Sequence, residues 1–151
     1  MKIESQIQSV ARYFFFSLLD EASAQKLTIK TMRVLKKDAA LDESTSRAQQ
    51  VIVETVDRLW RKKKEKTPRN SAISSSSGWV LPQGVDVGYW KQFALDAEDD
   101  NLSALIWSKI VNFEDANIAR GLGISEGSLR YRVAQALSSV VVVMSEGAEH
   151  D

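Results

Sequence analysis

Cysteine is absent from the 151 residues, and histidine occurs once, at His150. Without cysteine there is no disulfide scaffold, cysteine nucleophile, zinc finger or iron–sulfur cluster. With one histidine, a Ser-His-Asp triad or a multi-histidine metal site has no material. Proline is scarce as well, at Pro68 and Pro82 only. No apolar run approaches the roughly 18 residues that a membrane span needs. Charge of neither sign dominates, with 20 Lys/Arg against 20 Asp/Glu. The inventory points away from an enzyme, a metal, a cofactor or a membrane partner.

What is present suffices for a core. Hydrophobic residues make up 44% of the chain, near the roughly 45–50% of globular proteins. The length suits one domain or two small ones. The start, Met1-Lys2-Ile3-Glu4-Ser5, carries an early acid, and the apolar Tyr13-Phe14-Phe15-Phe16 is short with no cleavage site close behind. No signal peptide is expected, and the location expected is cytoplasmic. The balanced charge hides an asymmetry. Residues 1–66 hold 14 Lys/Arg against 9 Asp/Glu, a net +5, and residues 67–151 hold 6 against 11, a net −5. Opposite halves suggest two modules with different partners, or halves that attract each other.

Periodicity predicts an all-α fold. Ile3, Ile7, Val10, Phe14 and Leu18 recur at threes and fours, as one helical face does. A second helix carries Leu27, Thr31, Val34 and Leu35, with Asp20 or Ser23 as its cap. A third carries Ala48, Ile52, Val56, Leu59 and Trp60, capped by Asp42, Ser44 or Ser46 and ending in Arg61-Lys62-Lys63-Lys64. Trp90, Phe93, Ala94 and Ala97 give a short helix, and Asp99-Asp100-Asn101 is expected to cap the next, with Leu102, Leu105, Ile106 and Ile110 inside. The expected organisation is a three-helix domain over 1–66, a linker over 67–88 and a second helical domain over 89–151. The linker expectation rests on the run Thr67 to Gly78, rich in Ser, Gly and turn formers and too poor in apolar side chains for a core. Trp79-Val80-Leu81 within it is expected to dock on one of the halves.

The strongest motif lies in Phe113 to Leu137, FEDANIARGLGISEGSLRYRVAQAL. Ile118, Ala119 and Leu122 would face inward on a first helix. Gly123 sits where the chain must turn with positive φ, which glycine adopts freely. Ile124 plugs the corner. A second helix starts at Ser125 or Glu126 and buries Leu129, Val133, Ala136, Leu137 and Val140. Two helices joined in this way form a helix-turn-helix, whose second helix offers its N-terminal half to base edges. The exposed positions there are Glu126, Gly127, Ser128, Arg130, Tyr131 and Ala134.

This segment resembles the region of bacterial sigma factors that reads the −35 promoter element. The matching residues are Ile118, Ala119, Leu122, Gly123, Ile124, Ser125, Glu126, Gly127, Ser128, Leu129, Arg130, Arg132 and Ala136. Leu19 to Lys37 looks like the family's polymerase-binding helix, and Arg58 to Lys64 like the basic end of the helix that reads the −10 element. Order and spacing are those of a small sigma factor of the extracytoplasmic-function type. The resemblance implies binding to core RNA polymerase and to promoter DNA, with an anti-sigma factor as a further partner. It implies DNA contacts from Glu126, Ser128, Arg130, Tyr131 and Arg132, and from Arg61, Lys62, Lys63 and Lys64. It implies polymerase contacts from Lys26, Ile29, Lys30 and Arg33. Lys26 and Ile29 depart from the pattern, which has an acid and a glutamine there.

The Lys26 and Ile29 departures, a reader helix of balanced charge and a pI of about 6.6 favour an alternative, a sigma-like adaptor or regulator that binds proteins and not DNA. Residues 113–140 balance Arg120, Arg130 and Arg132 against Glu114, Asp115 and Glu126, although phosphate contacts supply most DNA affinity. The opposite charges of the two halves could also hold a closed form together. A stand-alone dimeric helix-turn-helix regulator is a third reading. Tyr13 to Phe16 cannot all face one side of a helix, so one or two are expected to be exposed or covered by another element. Trp107 likewise lies off its helix's apolar stripe. Half of Val140 to Val143 is expected to complete the last helix's buried face, and the remainder to pack on the other domain or mediate self-association. The acids Asp96, Glu98, Asp99 and Asp100 read as a solvated capping turn and not as a metal site.

Overall fold

The computed structural model describes residues 1–66 and 88–149, which are helical with no strand among them. The helices are α1 (Ile3–Leu18), α2 (Glu21–Leu35), α3 (Thr45–Lys66), α4 (Gly88–Asp96), α5 (Asp99–Leu105), α6 (Asp115–Leu122) and α7 (Glu126–Glu149). A 3₁₀ turn spans Ala39–Asp42, and α5 runs straight into a π-helical stretch over Ile106–Val111. Apart from Gly88, which opens α4, the expected linker lies outside the described residues, and so does the docking of Trp79-Val80-Leu81.

The caps explain where several helices start. Asp20 accepts the Ser23 backbone N–H at 3.3 Å and the Ser23 hydroxyl at 2.5 Å, opening α2. Ser44 accepts the Arg47 N–H at 3.0 Å before α3, and Ser125 accepts the Ser128 N–H at 3.1 Å before α7. Each satisfies an orphan donor of the first turn. For α5 the expected cap shifts by a residue. The N-cap is Glu98, without a side-chain cap bond, and Asp99 and Asp100 lie inside the first turn. Acids there still suit the positive end of the helix.

Side chains from both sequence halves meet in one contiguous core. Its centre is aromatic. Tyr13 stacks on Trp107 at 4.4 Å between ring centroids, meets Trp60 edge-on at 5.7 Å, and Trp107 stacks on Phe113 at 5.4 Å. The Tyr13 hydroxyl lies 3.0 Å from Ser103 Oγ, which gives the buried phenol a polar partner. The parts either side of residues 67–87 therefore share a core, where the sequence suggested one for each. Mutual burial of large rings across the halves is the physical reason.

Several faces differ from the periodic reading. Tyr13, Phe14, Phe15 and Phe16 are all buried. The end of α1 is enclosed on every side, with α2, α3 and the π stretch around it and Trp90 of α4 edge-on to Phe16 at 5.4 Å. Trp107 is fully buried because the wider π turn changes which residues face inward after Leu105. Conversely Ile3, Ile7, Val34 and Leu137, expected inside, are 58%, 40%, 39% and 40% exposed. On α2 Thr31 lies inside as expected and Thr28 joins it, and their hydroxyls donate to the Leu27 and Ala24 carbonyls at 2.7 Å. Those bonds remove the cost of burying a hydroxyl.

At Gly121 helices α3 and α6 approach closely. A Cβ placed on Gly121 would sit 2.6 Å from Val53 Cβ and 2.8 Å from the Gln50 carbonyl oxygen. Ala119, expected to face inward, is buried, and Gly121 is the residue that sets the distance between α3 and α6. Amides lock the register. Gln50 Nε2 donates to Asn117 Oδ1 at 3.1 Å, and Asn117 Nδ2 donates to Gln49 Oε1 at 2.9 Å. Gln49 Oε1 also accepts the Glu114 N–H at 3.2 Å.

Candidate functional surfaces

Leu129, Val133 and Ala136 anchor α7 in the core. Gly123, at φ +72°, turns the chain between α6 and α7. Its N–H bonds the Arg120 carbonyl at 3.3 Å, and the Ile124 N–H bonds the Ala119 carbonyl at 3.0 Å. These bonds close the end of α6 as a left-handed cap does. The start of α7 is thereby fixed, and its outer side is open. Glu126, Gly127, Ser128, Arg130 and Tyr131 are all exposed, Tyr131 at 65%. Tyr131 is held upright by Gln135, whose Nε2 donates to its hydroxyl at 2.8 Å. The result is a polar strip with one exposed aromatic and one exposed guanidinium.

Arg132 does not belong to this strip. Its guanidinium turns toward α5, where Nη2 lies 3.9 Å from Asp100 Oδ2. The basic end of α3 converges on the same place. Arg61 Nη2 donates to Asp100 Oδ1 at 2.7 Å, and its Nε donates to Asp57 at 3.1 Å. Lys64 pairs with Asp99. Both cations also lie over the Trp60 ring, at 5.8 Å and 5.5 Å from its centroid, where the ring face attracts positive charge. The Arg61 hydrogen bond holds the Asp100 carboxyl below the usual carboxylate range, against the opposing effect of partial burial. The charges of Arg132, Arg61 and Lys64 push it the same way. Lys62 remains exposed and Lys63 is half-buried.

The structure therefore divides the expected DNA-contacting residues. Glu126, Ser128, Arg130 and Tyr131 share one open helix face. Arg61, Lys64 and Arg132 gather instead around the acids at the head of α5. The sequence assigned Asp99 and Asp100 to a solvated turn. The opposite charges of the two halves were the available signal for this cluster, and here they meet in specific pairs.

The expected partner residues Lys26, Ile29, Lys30 and Arg33 are all exposed on α2. Ile29 and Arg33 help to line an apolar groove between α1 and α2, with Ile3, Ile7, Met32 and Lys36. Its volume is about 510 Å³. The periodic reading missed it because Ile3 and Ile7 share the spacing of the α1 core face. Among the described residues no helix is long and apolar enough to cross a membrane.

No protein family, no curated protein and no solved structure matches this chain.

Proposed function

We propose that the chain is a sigma-factor-like transcription protein. In this reading α6, the Gly123 corner and α7 form a helix-turn-helix that meets promoter DNA, and α2 meets core RNA polymerase. The observation that carries it is the solvent-open strip Ser128, Arg130 and Tyr131 on the first turns of a helix whose other face is packed. A hydroxyl, a guanidinium and a phenol at the start of such a helix have the chemistry to contact phosphates and base edges. The strip carries little net charge, so polymerase would supply most of the phosphate contacts.

A second reading is favoured by the pairs at Asp99 and Asp100. Arg61, Lys64 and Arg132 face carboxylates of the same chain, which must be displaced before those cations meet phosphate. A chain held closed in this way acts as a protein-binding adaptor or regulator.

The test is co-elution with bacterial core RNA polymerase at low salt, followed by anisotropy of labelled promoter duplexes with the complex. The proposal expects a complex whose DNA affinity falls on Arg130→Ala or Tyr131→Ala, by about tenfold each if they contact bases. Failure to form a complex at low salt refutes the initiation role. A polymerase complex whose DNA binding is unchanged by both substitutions favours the adaptor.

A further inference from the structure

The outer face of α2 is basic and unpaired. Residues 22–37 contain five cations, Lys26, Lys30, Arg33, Lys36 and Lys37, and no acid. All five are exposed. Among the described residues none of them is ion-paired. Of the acids that flank the stretch, Asp20 and Glu21 lie at its far end, where Asp20 caps α2 through Ser23. Asp38 caps the 3₁₀ turn through the Ala40 N–H at 2.9 Å. Arg61, Lys64 and Arg132, by contrast, all face carboxylates at the head of α5.

Lys26, Lys30 and Arg33 stand at i, i+4 and i+7, which sets them in one row about 10 Å long. The row lies on the far side of the helix from the buried Ala24, Thr31 and Leu35. Lys36 and Lys37 follow at the C-terminal end, where the helix dipole favours cations. The arrangement selects among polyanions. A helix lying in a membrane surface points its apolar face at the bilayer, with its cations on the other face. Here the cations hold the crest, and the exposed Ile29 and Val34 lie to either side. The crest also lacks the aromatic anchor on which protein contacts commonly depend. No residue of α2 is aromatic, so unpaired bases find no platform to stack on. Its hydroxyls are engaged, Ser23 with Asp20 and Thr28 and Thr31 with carbonyls of α2 itself. None is left on the crest to meet the 2′-hydroxyls through which duplex RNA is recognised.

We infer that the crest of α2 is a DNA-binding surface distinct from the α7 strip, and that it lies along the phosphate backbone of a duplex without reading its sequence. The match is one of charge, a row of unpaired cations against a ridge of phosphates, and the release of condensed counterions drives it. Contacts from Lys and Arg to phosphate position a protein and carry no sequence information. The inference does not depend on the promoter reading, since it uses none of Ser128, Arg130 and Tyr131. If α2 also meets polymerase, duplex and polymerase compete for it.

The test is fluorescence anisotropy of two labelled DNA duplexes of unrelated sequence, with the purified chain alone, over a range of salt. Both duplexes are expected to bind alike. The logarithm of the binding constant should fall with the logarithm of salt at a slope of about −2.7 to −4.5, for three to five phosphates. That is a loss of about 40- to 500-fold between about 50 and 200 mM salt. Lys26→Gln, Lys30→Gln and Arg33→Gln combined in one chain should make the slope shallower by about 2.7. The three positions are exposed, so circular dichroism should keep the helical signal of the parent. If the combined variant loses that signal, the single substitutions carry the test, each removing about 0.9. Lys26→Arg with Lys30→Arg keeps both charges and should keep the slope. A chain that binds neither duplex at low salt overturns the inference. So does a slope unmoved by the glutamine substitutions, which places the DNA elsewhere on the chain. Tighter binding at the same salt to duplex RNA, to phosphatidylglycerol vesicles or to polyglutamate overturns it in favour of that partner.

Discussion

Replacing Gly121 by alanine tests the packing that holds the two halves together. In an isolated helix this substitution stabilises by up to about 1 kcal/mol, since glycine is the weaker helix former. Here the added methyl would lie 2.6 Å from Val53 Cβ, 2.8 Å from Val53 Cγ1 and 2.8 Å from the Gln50 carbonyl oxygen. Val53 is fully buried and has nowhere to rotate. The carbonyl belongs to the α3 backbone and moves only with the helix. The helices must therefore separate, which also stretches the Gln50–Asn117 and Asn117–Gln49 bonds. Overpacking of this kind costs about 1–3 kcal/mol. The expected net loss is about 1–2 kcal/mol, a fall in melting temperature of about 2–8 °C at this size. Gly127→Ala is the control. Its methyl meets nothing nearer than Ser125 Oγ at 3.9 Å, so it should stabilise by a few tenths up to about 1 kcal/mol. Thermal melts followed at 222 nm, with urea titrations, read both signs. A Gly121→Ala protein melting at or above the parent would refute the close approach of α3 to α6.

Three further outcomes follow from named contacts. Asp100→Asn should lower stability at neutral pH by no more than about 1 kcal/mol, because the pairs are half-exposed. The folded carboxyl lies below its usual range, so its contribution is complete above the unfolded value and disappears as pH falls through the lowered one. The gap in urea midpoint between parent and variant should close in acid. A gap that persists unchanged would contradict the Arg61 pairing. Tyr13→Phe removes the phenol from buried Ser103 Oγ and should cost about 1–2 kcal/mol by chemical denaturation. Asp20→Ala removes the cap of α2 and should cost about 1 kcal/mol, with amide exchange rising first at Ser23 and its neighbours.

The sequence by itself determined the helical character. Apolar residues at threes and fours in Ala48 to Trp60 and in Leu129 to Ala136 commit those faces inward wherever the helices go, and they are buried. Caps act within one turn of chain, so local chemistry placed Asp20 and Ser44 among the few cap candidates. Gly123 was legible for the same reason, since a positive φ is a property of one residue. The outward positions of Ser128, Arg130 and Tyr131 followed from the inward ones of Leu129 and Val133.

Only the tertiary structure decided what lies against each face. Periodicity assigns a helix one apolar stripe. It could not show that α1 changes from half-exposed at Ile3 and Ile7 to wholly enclosed at Tyr13 to Phe16, because neighbours from distant parts of the chain enclose it. It could not foresee the π stretch that turns Trp107 inward, or that Gly121 sets the α3–α6 distance. Charge composition suggested either two modules with different partners or halves that attract. Which cations meet Asp99 and Asp100, and which stay open to solvent, depends on where the ends of α3, α5 and α7 come together. That placement is fixed by the packing of Tyr13, Trp60 and Trp107, large rings whose mutual burial outweighs the few half-exposed ion pairs around them.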